Sequence, residues 1–153
     1  MSEGDSGNPR DAVFTTALWN GAFALADWEL HVQRLTEHAK RLRLELPPNL
    51  SQKLLDFFEH EKSKNELTPS FEPSWLVRVE CLRTGEVSIE SRELAFRNED
   101  IDAITLPAPR WSSKVNGTKH GDWKPYRDAR EVAEKRGADL AFFVHDYALV
   151  DAD

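Results

Sequence analysis

The stretch Gly117-Thr118-Lys119-His120-Gly121-Asp122-Trp123 sets one lysine in a short loop of small and aromatic residues. A helical run from about Tyr126 to Arg136 follows, then Gly137-Ala138-Asp139 and the apolar run Leu140 to Val144. A lysine just ahead of a helix and a strand can present an amine for covalent chemistry on a carbonyl carbon. Arg34 carries a planar fork of donors matched to phosphate oxygens, next to the apolar positions Val32 and Leu35. His31 shares its face at a spacing of three, and His38 follows one turn later. With no cysteine or carboxylate at ligand spacing, these histidines do not make a metal site. Taken alone, Lys119 reads as a solvated loop lysine, because Lys114 and Lys124 lie in the same polar stretch. Arg34 alone reads as a helix arginine lying along the core edge.

The elements that must position these groups can be read from the pattern. Residues 1–10 are polar and contain Gly, Ser and Pro, which suggests a flexible leader. Val13 to Leu25 flank Asn20-Gly21 with apolar and β-branched residues, which predicts a hairpin. Asp27 is placed to N-cap a helix whose apolar positions Val32, Leu35, Ala39 and Leu42 carry it to about Leu44, before Pro47-Pro48. A second helix is expected after Ser51, with Leu54, Leu55, Phe57 and Phe58 as its apolar positions. A loop follows over 65–73. Trp75 to Leu82, a Thr84-Gly85 turn and Val87 to Glu90 predict a second hairpin. The polar residues to Asp100 read as a connector, and a new unit begins at Ile101 with Ala103 to Leu106, a loop to Trp123, a helix and a strand. The order predicts an α+β fold. Its parts are a leader (1–10), an α+β domain (11–92), a connector (93–100) and a partial second domain (101–153) carrying Lys119.

Composition narrows the function classes. The 153 residues suffice to bury roughly 70% of the surface exposed by the unfolded chain, enough for one full core or two small ones. A content of 40% hydrophobic and 31% charged residues is that of a globular protein rather than a disordered one. No apolar run approaches the ~20 residues that span a bilayer, and the first twelve residues lack the apolar core of a secretory signal, so a cytoplasmic location is expected. One cysteine, Cys81, excludes an internal disulfide; in its strand-like setting it is expected to be a buried structural thiol. The net charge of −7 weighs against nucleic acid as a partner, and Lys40, Arg41 and Arg43 lack an interleaved aromatic platform.

Three patches in the right order resemble the class IV aminotransferases, the fold type IV pyridoxal-phosphate (PLP) enzymes. Asp11 and Val13-Phe14-Thr15-Thr16 are similar to the family's Gly-Asp-Gly-Val-Phe-Thr-Thr strand, with Arg10 and Ala12 where glycines are usual. His31-Val32-Gln33-Arg34-Leu35 resembles its His-x-x-Arg-Leu helix motif, and Gly117 to Asp122 resembles its Gly-x-Lys-His-x-Asn segment, most like the form in aminodeoxychorismate lyases. The resemblance implies the small N-terminal domain of the D-amino-acid aminotransferase-like fold plus the opening β-α-β elements of the larger domain. It implies PLP as cofactor, Lys119 as the lysine that carries it, and Arg34 as the ligand of its phosphate. The family's acid at the pyridine nitrogen, a glutamate, falls near Asp151 and Asp153, and both are candidates. Elimination of pyruvate from aminodeoxychorismate to give 4-aminobenzoate is the implied reaction. A D-amino-acid or branched-chain aminotransferase is the close rival, and a non-catalytic remnant serving as an interaction domain is the reading of another class. A small amino-acid-like substrate and a homodimer are also implied. Further phosphate and substrate contacts of the family fall beyond Asp153, so this chain alone is expected to bind PLP weakly or not at all.

Overall fold

The computed structural model describes residues 7–153, so most of the expected leader lies outside the described residues. Pro9–Asp11 form a single 3-10 turn capped by Asn8, whose Oδ1 accepts the Arg10 N–H at 3.0 Å. The architecture is α+β, with two three-stranded sheets and three helices.

Strand β1 (Ala12–Trp19) lies at the edge of the first sheet, antiparallel to β2 (Trp75–Leu82), which pairs in turn with β3 (Val87–Glu93). One face of β1 and β2 carries matched partners, Val13 with Cys81, Thr15 with Val79, Ala17 with Val77 and Trp19 with Trp75. This face packs on the two helices, α1 (Trp28–Leu42) and α2 (Leu50–Asn65). Helix α1 contributes Leu35, Ala39 and Leu42, and α2 contributes Leu50, Leu54 and Phe58, all buried. The period-two row of one element thus meets the 3.6-period stripe of the other across a single core. Leu55, expected among the apolar positions of α2, is 42% exposed. Cys81 is fully buried, and burial pushes its thiol up to about 11.

The hairpin expected around Asn20-Gly21 does not form. A type I′ turn needs positive φ at both central residues, and of this pair only Gly21 has it, at 86°. Asn20 Oδ1 accepts the Ala22 N–H at 3.1 Å, and Asn20 Nδ2 donates to the Ser70 carbonyl at 3.0 Å, so the turn docks on the distant 68–70 loop. The ladder of β1 goes to β2 because the buried Val-Val-Cys row there covers the same helices. Asp27 is a second correction. It stands at the N-cap position with φ 52° and makes no side-chain cap bond; its carbonyl accepts Leu30 and His31 N–H groups instead.

The Thr84-Gly85 hairpin forms as expected, although β3 runs on to Glu93. In the second sheet, β4 (Ala103–Pro107) pairs parallel with β5 (Leu140–His145) through the crossover helix α3 (Lys124–Lys135), and β6 (Ala148–Ala152) returns antiparallel beside β5. Asp146 and Tyr147 make that reversal with φ of 49° and 62°. Ala129 and Ala133 of α3 pack on Ala141 and Phe143.

The loop between β4 and α3 ties the two sheets together. His120 bridges Val13, the Lys119 carbonyl accepts the Phe14 N–H at 3.0 Å, and Arg41 Nη2 donates to the carbonyls of Ser113 and Asn116 at 3.1 and 2.6 Å. Gly121 passes so close to β1 that a Cβ there would lie 2.8 Å from the Ala12 nitrogen. Only glycine allows this approach, which seats the lysine loop on β1.

Candidate active site

Lys119 is fixed by its backbone rather than by its side chain. Its N–H donates to His38 Nδ1 of α1 at 3.1 Å while its carbonyl is held by β1. On one side, the Thr118 hydroxyl donates to the Val115 carbonyl at 2.6 Å. On the other, His120 is 1% exposed, its ring set edge-on to Trp111 at 4.4 Å and its Nδ1 accepting the Asp122 N–H at 3.2 Å. Burial lowers the His120 pKa, with Lys119 adding to this and Asp122 opposing it, which keeps the ring neutral. The Lys119 side chain runs past aromatic rings, its Nζ 5.2 Å from the Trp123 centroid and 5.9 Å from that of Phe14.

A cavity of about 500 Å³ opens beside Lys119, lined also by Thr118, Trp111, Trp123, Tyr126 and Asp151. This lies within the ~300–1,000 Å³ range of small-molecule sites. Trp123 stacks on Tyr126 at 4.0 Å, and Tyr126 meets Phe143 edge-on at 5.2 Å, so the floor is a rigid aromatic stack. Burial raises the Tyr126 phenol above its ordinary value and the Asp151 carboxylate raises it further, so the phenol keeps its proton at neutral pH. A second cavity of about 530 Å³ also has Lys119 in its wall, with Arg78, Arg92, Arg130 and Asp153.

The two acids therefore stand in different places. Asp151 shares the aromatic cavity with Lys119. The Asp153 side chain is 1% exposed and already engaged: Oδ1 accepts the Ala141 N–H at 2.5 Å, and Oδ2 lies 3.1 Å from Arg130 Nε. That last contact is an ion pair at poor hydrogen-bond angle, since Asp153 Oδ2 has no hydrogen-bond partner.

Arg34 lines neither of these cavities. Its Nη2 donates to Thr15 Oγ1 at 2.6 Å and lies 3.2 Å from His31 Nδ1, while the Thr15 hydroxyl and His31 Nδ1 are 2.6 Å apart. With the guanidinium donating to its oxygen, the Thr15 hydroxyl turns its own proton toward His31, whose Nδ1 must be the bare acceptor. Burial first and Arg34 second lower the His31 pKa, which favours that neutral form. Thr15 follows Phe14, the residue that grips the Lys119 carbonyl, so β1 couples the arginine to the lysine loop. Arg34 Nε is buried without a hydrogen-bond partner. A buried donor of this kind costs ~1–3 kcal/mol until an acceptor reaches it, and a phosphate oxygen is such an acceptor.

The cavity fits PLP in its amine, its size, its flat aromatic walls and its acid, while the orphaned guanidinium donor of Arg34 lies outside that cavity. Thr15, His38, Trp111 and Tyr126 were not among the candidates drawn from the sequence. His38 carried a usable signal, lying four residues after Arg34 on the same helical face. Among the described residues no cluster of three or more His, Cys, Asp and Glu side chains is gathered for a metal, and no helix is long and apolar enough to cross a membrane.

No protein-family model matches the sequence, and no curated protein is similar to it. Solved structures are similar. A candidate 4-amino-4-deoxychorismate lyase superposes with a TM-score of 0.68 at 24% identity, covering 99% of this chain and 58% of its own. A fold IV-transaminase from Curtobacterium pusillum gives 0.67 at 24% identity over 95% of this chain and 53% of its own. The PLP-bound form of a hypothetical aminotransferase from Mycobacterium tuberculosis gives 0.66 at 17% identity over 88% of this chain and 52% of its own. The chain thus has the fold of these proteins over a little more than half of their length.

Proposed function

We propose that this chain, built on the fold of the class IV aminotransferases, is a PLP-dependent member of that family and that Lys119 is its cofactor lysine. The observation that carries this reading is the shared cavity, in which the backbone-clamped Lys119 and the Asp151 carboxylate line one aromatic pocket. Bound PLP supplies an electron sink for charge developing on the carbon beside the substrate amine. In this reading Lys119 Nζ would hold the cofactor and would be the group placed to move a proton at that carbon. Asp151 would be the acid that keeps a proton on the ring nitrogen; Asp153, tied to Ala141 and Arg130, is the second candidate for that role. Arg34 is the phosphate ligand of this reading, supported by its buried Nε, which has no hydrogen-bond partner. Trp111 and Trp123 exclude water, and the protonated Tyr126 phenol is a donor on the same wall.

The substrate is a small amino-acid-like molecule, and the reaction nearest to the lysine loop is aminodeoxychorismate lyase chemistry, the elimination of pyruvate to give 4-aminobenzoate. The rival is transamination of D-amino or branched-chain amino acids. A homodimer in the cytoplasm belongs to the same reading. A non-catalytic interaction domain is favoured by one observation, that Arg34 lines neither cavity at Lys119. The chain is incubated with excess PLP and either aminodeoxychorismate, followed by pyruvate release, or D-alanine or leucine with 2-oxoglutarate, followed by glutamate. Pyruvate release lost in Lys119→Ala is expected. Glutamate formation instead selects the transaminase; neither product is the result of a non-catalytic domain or of a chain that binds PLP too weakly on its own.

A further inference from the structure

His38 is 7% exposed, on the inner face of α1, and its Nδ1 is the acceptor for the backbone N–H of Lys119. It lies four residues beyond Arg34 on the same helix, so the helix that carries the arginine also holds the lysine loop. Among the described residues that N–H makes no other hydrogen bond, whereas the N–H groups of Thr118 before it and Gly121 two residues after it are tied backbone to backbone, to Val115 and Pro9. A ring nitrogen accepts only when it carries no proton. We propose that His38 is a positioning residue that sets the register of the Lys119 loop against α1, and that protonation of its ring releases the loop. The proposal rests on Lys119 being the working lysine of the site.

The charged groups facing His38 are Arg34, Glu37 and Arg41 of its own helix and Lys119 across from it. Burial is the main cause that lowers its pKa below 6.5; Arg34, Arg41 and Lys119 act in the same direction, and Glu37 opposes them. The sign follows. With a lowered pKa in the folded state, the unfolded chain takes the proton first as pH falls. The link is complete above the ordinary histidine range and is lost as pH falls through the lowered folded value.

The test is amide hydrogen exchange in the 15N-labelled chain, expressed as protection factors, from pH 7.5, above the ordinary histidine pKa of ~6.5, down to the acid limit of the folded state. Protection of the Lys119 amide is expected to fall about fivefold or more at the acid end, the worth of one hydrogen bond. The Thr118 amide, bonded to a carbonyl, serves as the control and is expected to hold. In His38→Asn the amide oxygen can replace Nδ1 without titrating, so Lys119 protection is expected to stay high and lose its pH dependence. Equal behaviour of the Lys119 and Thr118 amides in the wild type, or a pH dependence that survives in His38→Asn, overturns the proposal. Because this readout needs no PLP, its outcome does not depend on whether PLP labels Lys119, so a failure of this proposal and a failure of the cofactor reading are distinguishable.

Discussion

Trp19→Ala lowers the free energy of unfolding by about 4 kcal/mol, in the range of buried aromatic truncations. Trp19 is 1% exposed at the end of β1, with Phe58, Trp75 and Phe57 at centroid distances of 5.5, 5.5 and 5.8 Å. Its indole N–H donates to the Ala22 carbonyl at 2.8 Å. Truncation therefore opens a void between the sheet and α2 and strips the turn at Asn20-Gly21 of the bond that pins it. Urea unfolding followed by fluorescence measures the loss. Leu18→Ala, at a neighbouring residue 38% exposed on the opposite face, serves as the comparison and is expected to cost ~1 kcal/mol or less. Equal losses in the two variants would mean that the Trp19 cluster is not the centre of the core.

If Arg34 is the phosphate ligand, Arg34→Ala weakens whatever PLP affinity the chain has by about a hundredfold and Arg34→Lys by about tenfold, the scale of one or two hydrogen bonds to a charged group at ~1.5–3 kcal/mol each. The lysine variant keeps the charge but loses the planar fork, which separates geometry from electrostatics. Both variants also release Thr15 and His31 from the guanidinium, so stability is measured alongside affinity. Titration of PLP into each variant, read by quenching of tryptophan fluorescence, provides the comparison. Equal affinities in wild type and Arg34→Ala would remove Arg34 from the phosphate site and favour the non-catalytic reading.

The sequence was most legible where one element carries its own period. The α1 stripe, the Thr84-Gly85 hairpin and the order of strand, lysine loop, helix and strand from Ala103 to Val144 follow from residue spacing, and the structure has each of them. Asn20-Gly21 misled because the same dipeptide serves a hairpin or a docked turn; the choice rests on Ser70, fifty residues away. Asp27 misled for a related reason. A capping residue type does not fix φ, and here the backbone turns with φ 52° before the helix begins. At the candidate site, motif likeness marked Lys119 and Arg34, but what holds them is long-range. The Lys119–His38 bond joins residues 81 apart, and the approach of Gly121 to Ala12 ties the same loop to β1. Such contacts depend on how the two sheets meet, which no local pattern encodes. Asp151 and Asp153 were indistinguishable by spacing and are separated only by burial and partners.

The central claim is that Lys119 is the chemically singled-out amine. Its most direct test is to treat the purified chain with PLP at saturating concentration, reduce with borohydride, and map the modified lysines by mass spectrometry. Lys114 and Lys124, in the same stretch of sequence, are the internal references. The account predicts a label concentrated on Lys119 well above both references. A label spread evenly over the three lysines, or found on Lys114 and Lys124 but not on Lys119, would contradict it.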